Sequence, residues 1–131
     1  MNTDPIADFL TRIRNAQKAK HYTFDVYSSK MKLQLAEILK KEGFISDYRQ
    51  MTDQGKKMIR VHLRYLVSGE PILHELKRIS KPGCRIYVSK DDIPHSLASV
   101  AVTVVSTSKG VMTGREAMER NLGGELICSV M

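Results

Sequence analysis

Residues 100–131 read VAVTVVSTSKGVMTGREAMERNLGGELICSVM, and this stretch decides the fold class. Val100 to Val105 is a β-branched run bordered by Ser99 and Ser106, the composition of a strand. Thr113 and Glu116 stand at capping-box spacing, so Thr113 to Asn121 predicts a short helix. Gly123-Gly124 predicts its end, and Glu125 to Met131 predicts a final strand. Strands dominate, with helices interleaved, which makes the chain α+β.

Upstream, residues 72–79 are apolar, with Lys77 and Arg78 near the end. Lys81-Pro82-Gly83 is a turn signal: Pro presets φ and Gly accepts positive φ. Residues 85–89 then read as a strand, so a hairpin is expected. Ile93 to Ala98 is ambiguous, with a single helical turn as one reading. Val67-Ser68-Gly69-Glu70-Pro71 is the best lobe boundary, because Gly and Pro break regular structure. The expected lobes are residues 1–67, basic and α/β, and residues 68–131, mainly β.

The first lobe predicts helix, strand, helix, strand, strand. Residues 4–19 read as a helix capped by Thr3 or Asp4, with Pro5 in the first turn. Ile6, Phe9, Leu10 and Ile13 form one apolar face. Thr11, Arg14, Asn15 and Lys18 repeat that spacing on another face, either a solvated stripe or one that contacts phosphates. Tyr22, Phe24 and Val26 alternate with Thr23, Asp25 and Tyr27 in a short strand. Ser28 and Ser29 cap a second helix, with Met31, Leu35, Ile38 and Leu39 on its buried face and Gly43 as its stop. Lys30 and Lys32 lie in its first turn, where cations oppose the helix dipole. They are either two exposed lysines or, with the free N–H groups and Ser29, a site for an anion. Residues 44–50 predict a strand, Thr52-Asp53-Gln54-Gly55 a turn, and residues 57–66 a second strand. In that strand Ile59, Val61, Leu63 and Tyr65 face one way, and Arg60, His62 and Arg64 the other.

The 131 residues suit one ordinary domain or two small lobes. Apolar residues are 42% and charged residues 27%, a globular balance that excludes a wholly disordered chain. No apolar run reaches the roughly 20 residues a membrane helix needs, so no membrane partner is expected. No secretory signal is expected either. Cys84 and Cys128 stand apart and are read as reduced thiols of a cytoplasmic protein. The net charge is +7 and the pI about 9.5, a balance that points to a polyanion. Residues 1–67 hold 13 Lys/Arg against 7 Asp/Glu, and residues 68–131 hold 8 against 7. The first half therefore carries the electrostatics. Any anion site in the second half must rely on neutral donors.

Ser106-Thr107-Ser108-Lys109-Gly110 is the strongest candidate site. Hydroxyls donate and accept, and so can pair with base edges, ribose 2′-OH groups and phosphate. Lys109 adds a cation, and Gly110 allows close approach. The alternative is a plain hydrophilic turn. It is not a P-loop, since the Gly-Lys-Ser/Thr element is missing. Enzyme templates fail: there is no G-x-S-x-G elbow, and His21, His62, His74 and His95 form no metal pair. No enzyme activity, cofactor, metal or small-molecule substrate is expected. The rival is a small metabolic enzyme holding a phosphate ester at residues 106–110. The sequence contains no helix-turn-helix, zinc finger or basic zipper. With 6% aromatics and no Trp, an extended stacking platform does not fit. A folded RNA fits best.

Several runs resemble the ribosomal protein S-eight family of the small subunit. They are Asp4-Pro5-Ile6-Ala7-Asp8, Leu10-Thr11-Arg12-Ile13-Arg14-Asn15, Ser28-Ser29-Lys30 and Glu42-Gly43-Phe44-Ile45. Leu76 to Gly83, Arg85-Ile86-Tyr87, Ser106 to Thr113, Arg115-Glu116-Ala117 and Gly123-Gly124-Glu125 complete the series. The likeness spans nearly the whole chain in order. It implies two α+β lobes side by side, and a primary binder of the rRNA central domain that aids subunit assembly. It also implies neighbouring ribosomal proteins as partners and, in many relatives, repression of an operon mRNA. The resemblance assigns specific RNA contact to Ser106, Thr107, Ser108, Lys109, Gly110, Gly124, Glu125 and the Lys81, Pro82, Gly83, Arg85, Tyr87 segment. It assigns backbone contacts to the first helix (Thr11, Arg14, Asn15) and to Ser29, Lys30 and Lys32. The family pattern differs at Tyr27 (Pro), Gly114 (Asp) and the end, Ser129 and Met131 (Tyr and Trp).

Overall fold

The computed structural model describes residues 4–93 and 101–131. Two compact units emerge: Pro5–Leu73, and Asp4 together with the described residues of His74–Met131.

The first unit contains α1 (Pro5–Lys18), β1 (Thr23–Tyr27), α2 (Lys30–Lys41), β2 (Ile45–Asp53) and β3 (Lys56–Leu63). The strands make an antiparallel sheet in the order β1-β3-β2. Ile6, Phe9, Leu10 and Ile13 of α1 are buried, as their spacing requires. They pack with Leu35, Ala36 and Leu39 of α2 and Val26, Ile59 and Val61 of the sheet. Gly43 has φ +83 and closes α2. The turn expected over Thr52–Gly55 tightens to Gln54-Gly55, with φ of +50 and +78. Both central residues are left-handed, the geometry that matches strand twist in two-residue hairpins, so β2 runs on to Asp53.

Three expectations in this unit are corrected. Tyr22 precedes β1 and is 74% exposed, its ring edge-on to Tyr65. Met31 is only half-buried. In its place Lys32 is buried, 6% exposed, with its ammonium donating to the Tyr27 carbonyl at 3.1 Å.

The Val67–Pro71 breakers lie inside this unit. Leu66 N–H donates to Glu70 O, Ile72 N–H to Arg64 O, and Lys20 Nζ to Gly69 O. These bonds close residues 66–70 on themselves and tie the segment to Arg64, just past β3, and to Lys20, just past α1; the units divide at Leu73/His74.

The second unit contains β4 (Leu76–Arg78), β5 (Tyr87–Val88), β6 (Val102–Thr107), β7 (Gly110–Thr113), α3 (Gly114–Glu119) and β8 (Gly124–Val130). The sheet runs β4-β8-β6-β7, and β5 also pairs with β8. Val105, Met112, Leu126, Ala117 and Ile93 form the core beneath α3. The helical turn expected over Ile93–Ala98 lies outside the described residues beyond Ile93, as do His95, Ser99, Val100 and Thr3.

The expected hairpin of residues 72–79 with 85–89 is corrected. β4 and β5 pair not with each other but one after the other along β8. Between them the chain loops out through the Lys81–Cys84 turn, closed by two backbone bonds. The fully buried Ser80 hydroxyl holds the neck, accepting from Ile86 N–H at 2.9 Å and donating to Ile86 O at 3.3 Å. The loop of residues 106–110 is corrected too: it is the β6–β7 hairpin, and only Ser108-Lys109 is turn. Thr113 is the N-cap of α3, its hydroxyl accepting from Glu116 N–H. The Glu116 carboxylate pairs with Arg120 instead of completing the capping box. The helix ends through Asn121, at φ +57, before the two glycines.

Candidate nucleic-acid interface

Cross-strand pairing builds the site in the second unit. Tyr87 pairs with Glu125, Glu125 with Ser106, and Ser106 with Val111. Directly opposed residues share a face of an antiparallel sheet, so three distant sequence segments supply one row. It lies opposite the Val105–Met112–Leu126 layer that faces the core. Glycine allows the strands to meet here. A Cβ at Gly124 would overlap the Ser106 carbonyl oxygen, and one at Gly123 would sit 2.5 Å from Val88 O.

The polar groups in and beside the row divide into structural and available ones. Thr107 Oγ1 donates to Gly110 O at 2.8 Å and accepts from Lys109 N–H at 3.1 Å. Its hydroxyl thus shapes the turn, and Gly110 completes it at φ +113. The Ser106 and Ser108 hydroxyls make no hydrogen bond among the described residues, and Ser108 and Lys109 are exposed. Arg85 Nη1 donates to Glu125 Oε2 at 3.0 Å. The Glu125 side chain is 12% exposed and that of Arg85 49%, so a guanidinium covers a nearly enclosed carboxylate. That bond also raises the Arg85 pKa. Lys81, Pro82, Gly83 and Cys84 are exposed at the loop-out, and Tyr87 is 68% exposed. Cys128, by contrast, is buried, its thiol pushed up to about 12 by burial.

In the first unit, Thr11, Arg14, Asn15 and Lys18 are all exposed along α1. Lys30 is exposed at the start of α2. Ser29 is the N-cap, its hydroxyl accepting from Lys32 N–H at 3.2 Å. Lys32 does not join Lys30 on the surface; burial lowers its pKa, and its ammonium braces the β1–α2 junction. Its long aliphatic stem can lie among apolar groups while the nitrogen reaches a carbonyl. No pattern of charge along the chain distinguishes it from Lys30.

Sequence reasoning missed Ser80 and the structural use of Thr107. It also missed the role of Arg78, which donates to the Asp4 carboxylate at 3.1 Å and caps Ile127 O at a bulge in β8. These depend on long-range partners; only Ser80, beside the Lys-Pro-Gly turn, carried a local hint.

A family model described as Ribosomal protein S8 matches residues 4–131. A small ribosomal subunit protein uS8 from Protochlamydia amoebophila is 52% identical over 129 residues, covering 98% of this chain and 97% of the relative. One from Geotalea uraniireducens is 50% identical over 128 residues, with the same coverage. One from Koribacter versatilis is 46% identical over 130 residues, covering 99% and 98%. Sequence likeness of this extent and the two α+β units lead to one conclusion: the chain belongs to the ribosomal protein S8 family.

Proposed function

We propose that this chain is a structural, non-enzymatic constituent of the small ribosomal subunit, binding ribosomal RNA in the cytoplasm. Its target is the central domain of small-subunit rRNA, bound during assembly with neighbouring ribosomal proteins nearby. The observation that carries the reading is the Tyr87–Glu125–Ser106 row beside the exposed Ser108-Lys109 turn. Neutral donors and acceptors with little net charge suit recognition of base edges and 2′-OH groups.

In this reading Ser106 and Ser108 pair with nucleotide polar groups. Lys109 and Lys81 meet phosphates, and Gly110, Pro82 and Gly83 permit close approach. Thr107 acts indirectly, by holding the turn. Tyr87 offers a ring face, and Glu125, oriented by Arg85, accepts a hydrogen bond and performs no acid–base chemistry. In the first unit Thr11, Arg14, Asn15 and Lys30 supply sequence-independent backbone attraction. Lys32 and Ser29 set the geometry that presents Lys30. An operon mRNA folded as a mimic of the rRNA site would use the same surface.

The test is binding of the full chain to a short central-domain rRNA fragment, a scrambled hairpin and duplex DNA across a salt series. A preference for the rRNA fragment that survives high salt is expected. Equal binding to all three, collapsing as salt rises, would overturn the reading. Adding the operon leader RNA, with competition against the fragment, tests the repressor role.

A further inference from the structure

The first unit contains a concavity of its own. It is an open cleft of about 380 Å³, lined by Arg12, Asn15, Ala16, Ala19, His21 and Phe24. Arg12, Asn15, Ala16 and Ala19 recur at helical spacing and form one wall. The chain then reverses sharply: Lys20 adopts φ +59, His21 N–H donates to Ala16 O at 2.9 Å, and Lys20 N–H to Gln17 O. This left-handed C-terminal turn brings His21 and the start of β1 round as the second wall. The Phe24 ring is held edge-on by Phe9, with centroids 6.1 Å apart.

The chemistry is asymmetric. One aromatic ring and two alanine methyls make an apolar floor. At the rim stand an amide, an imidazole and a guanidinium. Arg12 Nε is taken by Asp8 at 3.2 Å; its Nη groups make no hydrogen bond among the described residues. Arg14, Lys18 and Lys20 lie close by in sequence. A bare phosphate would gain nothing from the floor, and a cation would find no carboxylate among the lining residues. A planar base joined to an anionic backbone satisfies both. The volume lies in the lower range of small-ligand sites, fit for one nucleotide and too small for a helix. Asn15 also belongs to the exposed α1 stripe assigned to phosphates, so the cleft continues the proposed RNA surface.

We propose that the α1–β1 cleft receives one unstacked nucleotide of the bound RNA, its base against Ala16, Ala19 and Phe24, its phosphate toward Arg12. The inference rests on the RNA-binding reading above. Unpaired bases splayed onto aromatic side chains are a general mode of RNA recognition.

Ala19 is exposed, so Ala19→Leu fills the cleft without disturbing the core. With the full chain and the rRNA fragment, affinity should fall about 10-fold, the scale of one lost base–aromatic contact, with an unchanged salt slope. In the wild-type complex, the Ala16 and Ala19 methyl protons should show NMR contacts to base or ribose protons. Wild-type affinity for Ala19→Leu, with no RNA contact to either methyl, would overturn the cleft proposal and leave the RNA-binding reading intact. Loss of all preference for the fragment by the wild-type chain would instead overturn that reading, and the cleft proposal with it.

Discussion

The two units hold the same number of acidic groups but very different numbers of cations. Residues 5–73 carry 13 Lys/Arg against 7 Asp/Glu; the other unit carries 8 against 7. Formal charge nevertheless overstates what the first unit can offer a polyanion. Lys32 is buried on a carbonyl, Arg60 pairs with Asp25, Lys40 with Asp47, and Arg64 caps Gly43 O. The second unit does the reverse. It has little charge to give, and it builds its row with Gly124, Ser80 and Thr107 so that Ser106 and Ser108 stay available. In the proposed RNA-binding reading, attraction thus falls to a few surface cations of the first unit, and discrimination to neutral groups of the second.

The comparison breaks most readily at Gly124. Gly124→Ala must separate β6 from β8, and we expect a loss of about 3 kcal/mol or more in stability, read by calorimetry, together with loss of RNA preference. Normal melting would mean that the strand crossing is not close-packed. Ser108→Ala should cost about 1–3 kcal/mol in binding the rRNA fragment, as for an unmade buried hydrogen bond, and leave scrambled RNA unaffected. Lys30→Ala should weaken all RNAs alike and flatten the salt slope by about 1 unit. Equal effects of the Ser108 and Lys30 variants on cognate and scrambled RNA would erase the division between the units. Lys32→Met sharpens it further: a buried cation contributes no counterion release, so the salt slope should match wild type.

The smallest effect is internal to the first unit. Tyr48 donates to Glu37, and its hydroxyl pKa is pushed up from 10 to about 12 by that bond. A pKa raised by folding stabilises fully below pH 10, and the gain is lost as pH rises toward 12. The stability difference between wild type and Tyr48→Phe should therefore shrink across that window. It should stay below about 1 kcal/mol, because the pair is solvent-screened. A constant difference by thermal melts would remove the bond from the stability of this unit.

Local patterns made much of the fold legible. The i, i+3, i+4, i+7 apolar face of α1, the Ser29 and Thr113 caps, the Gly43 stop and the alternation of Ile59, Val61 and Leu63 all stand where short-range rules put them. The mistakes share a cause. β7 was hidden because Val111-Met112-Thr113 is too short to show a period, and its identity depends on pairing with β6. Pro-Gly signals reversal and so points to a β4–β5 hairpin, but β8 competes for both strands and pairs with each. Charge normally seeks water, which points Lys32 outward, yet the Tyr27 carbonyl offers its ammonium a partner within.

The sequence by itself determined most element types (β7 excepted), the basic first half, the hydroxyl-rich segment at residues 106–110 and, through its motifs in order, the family. These follow from local propensity and composition, which act over a few residues. Only the tertiary structure decided which polar groups remain available, that Tyr87, Glu125 and Ser106 form one row, and that α1 and β1 enclose a cleft. The row joins segments far apart in sequence and the cleft joins two elements across a turn, and hydrogen bonds and packing select such partners only when the chain has folded.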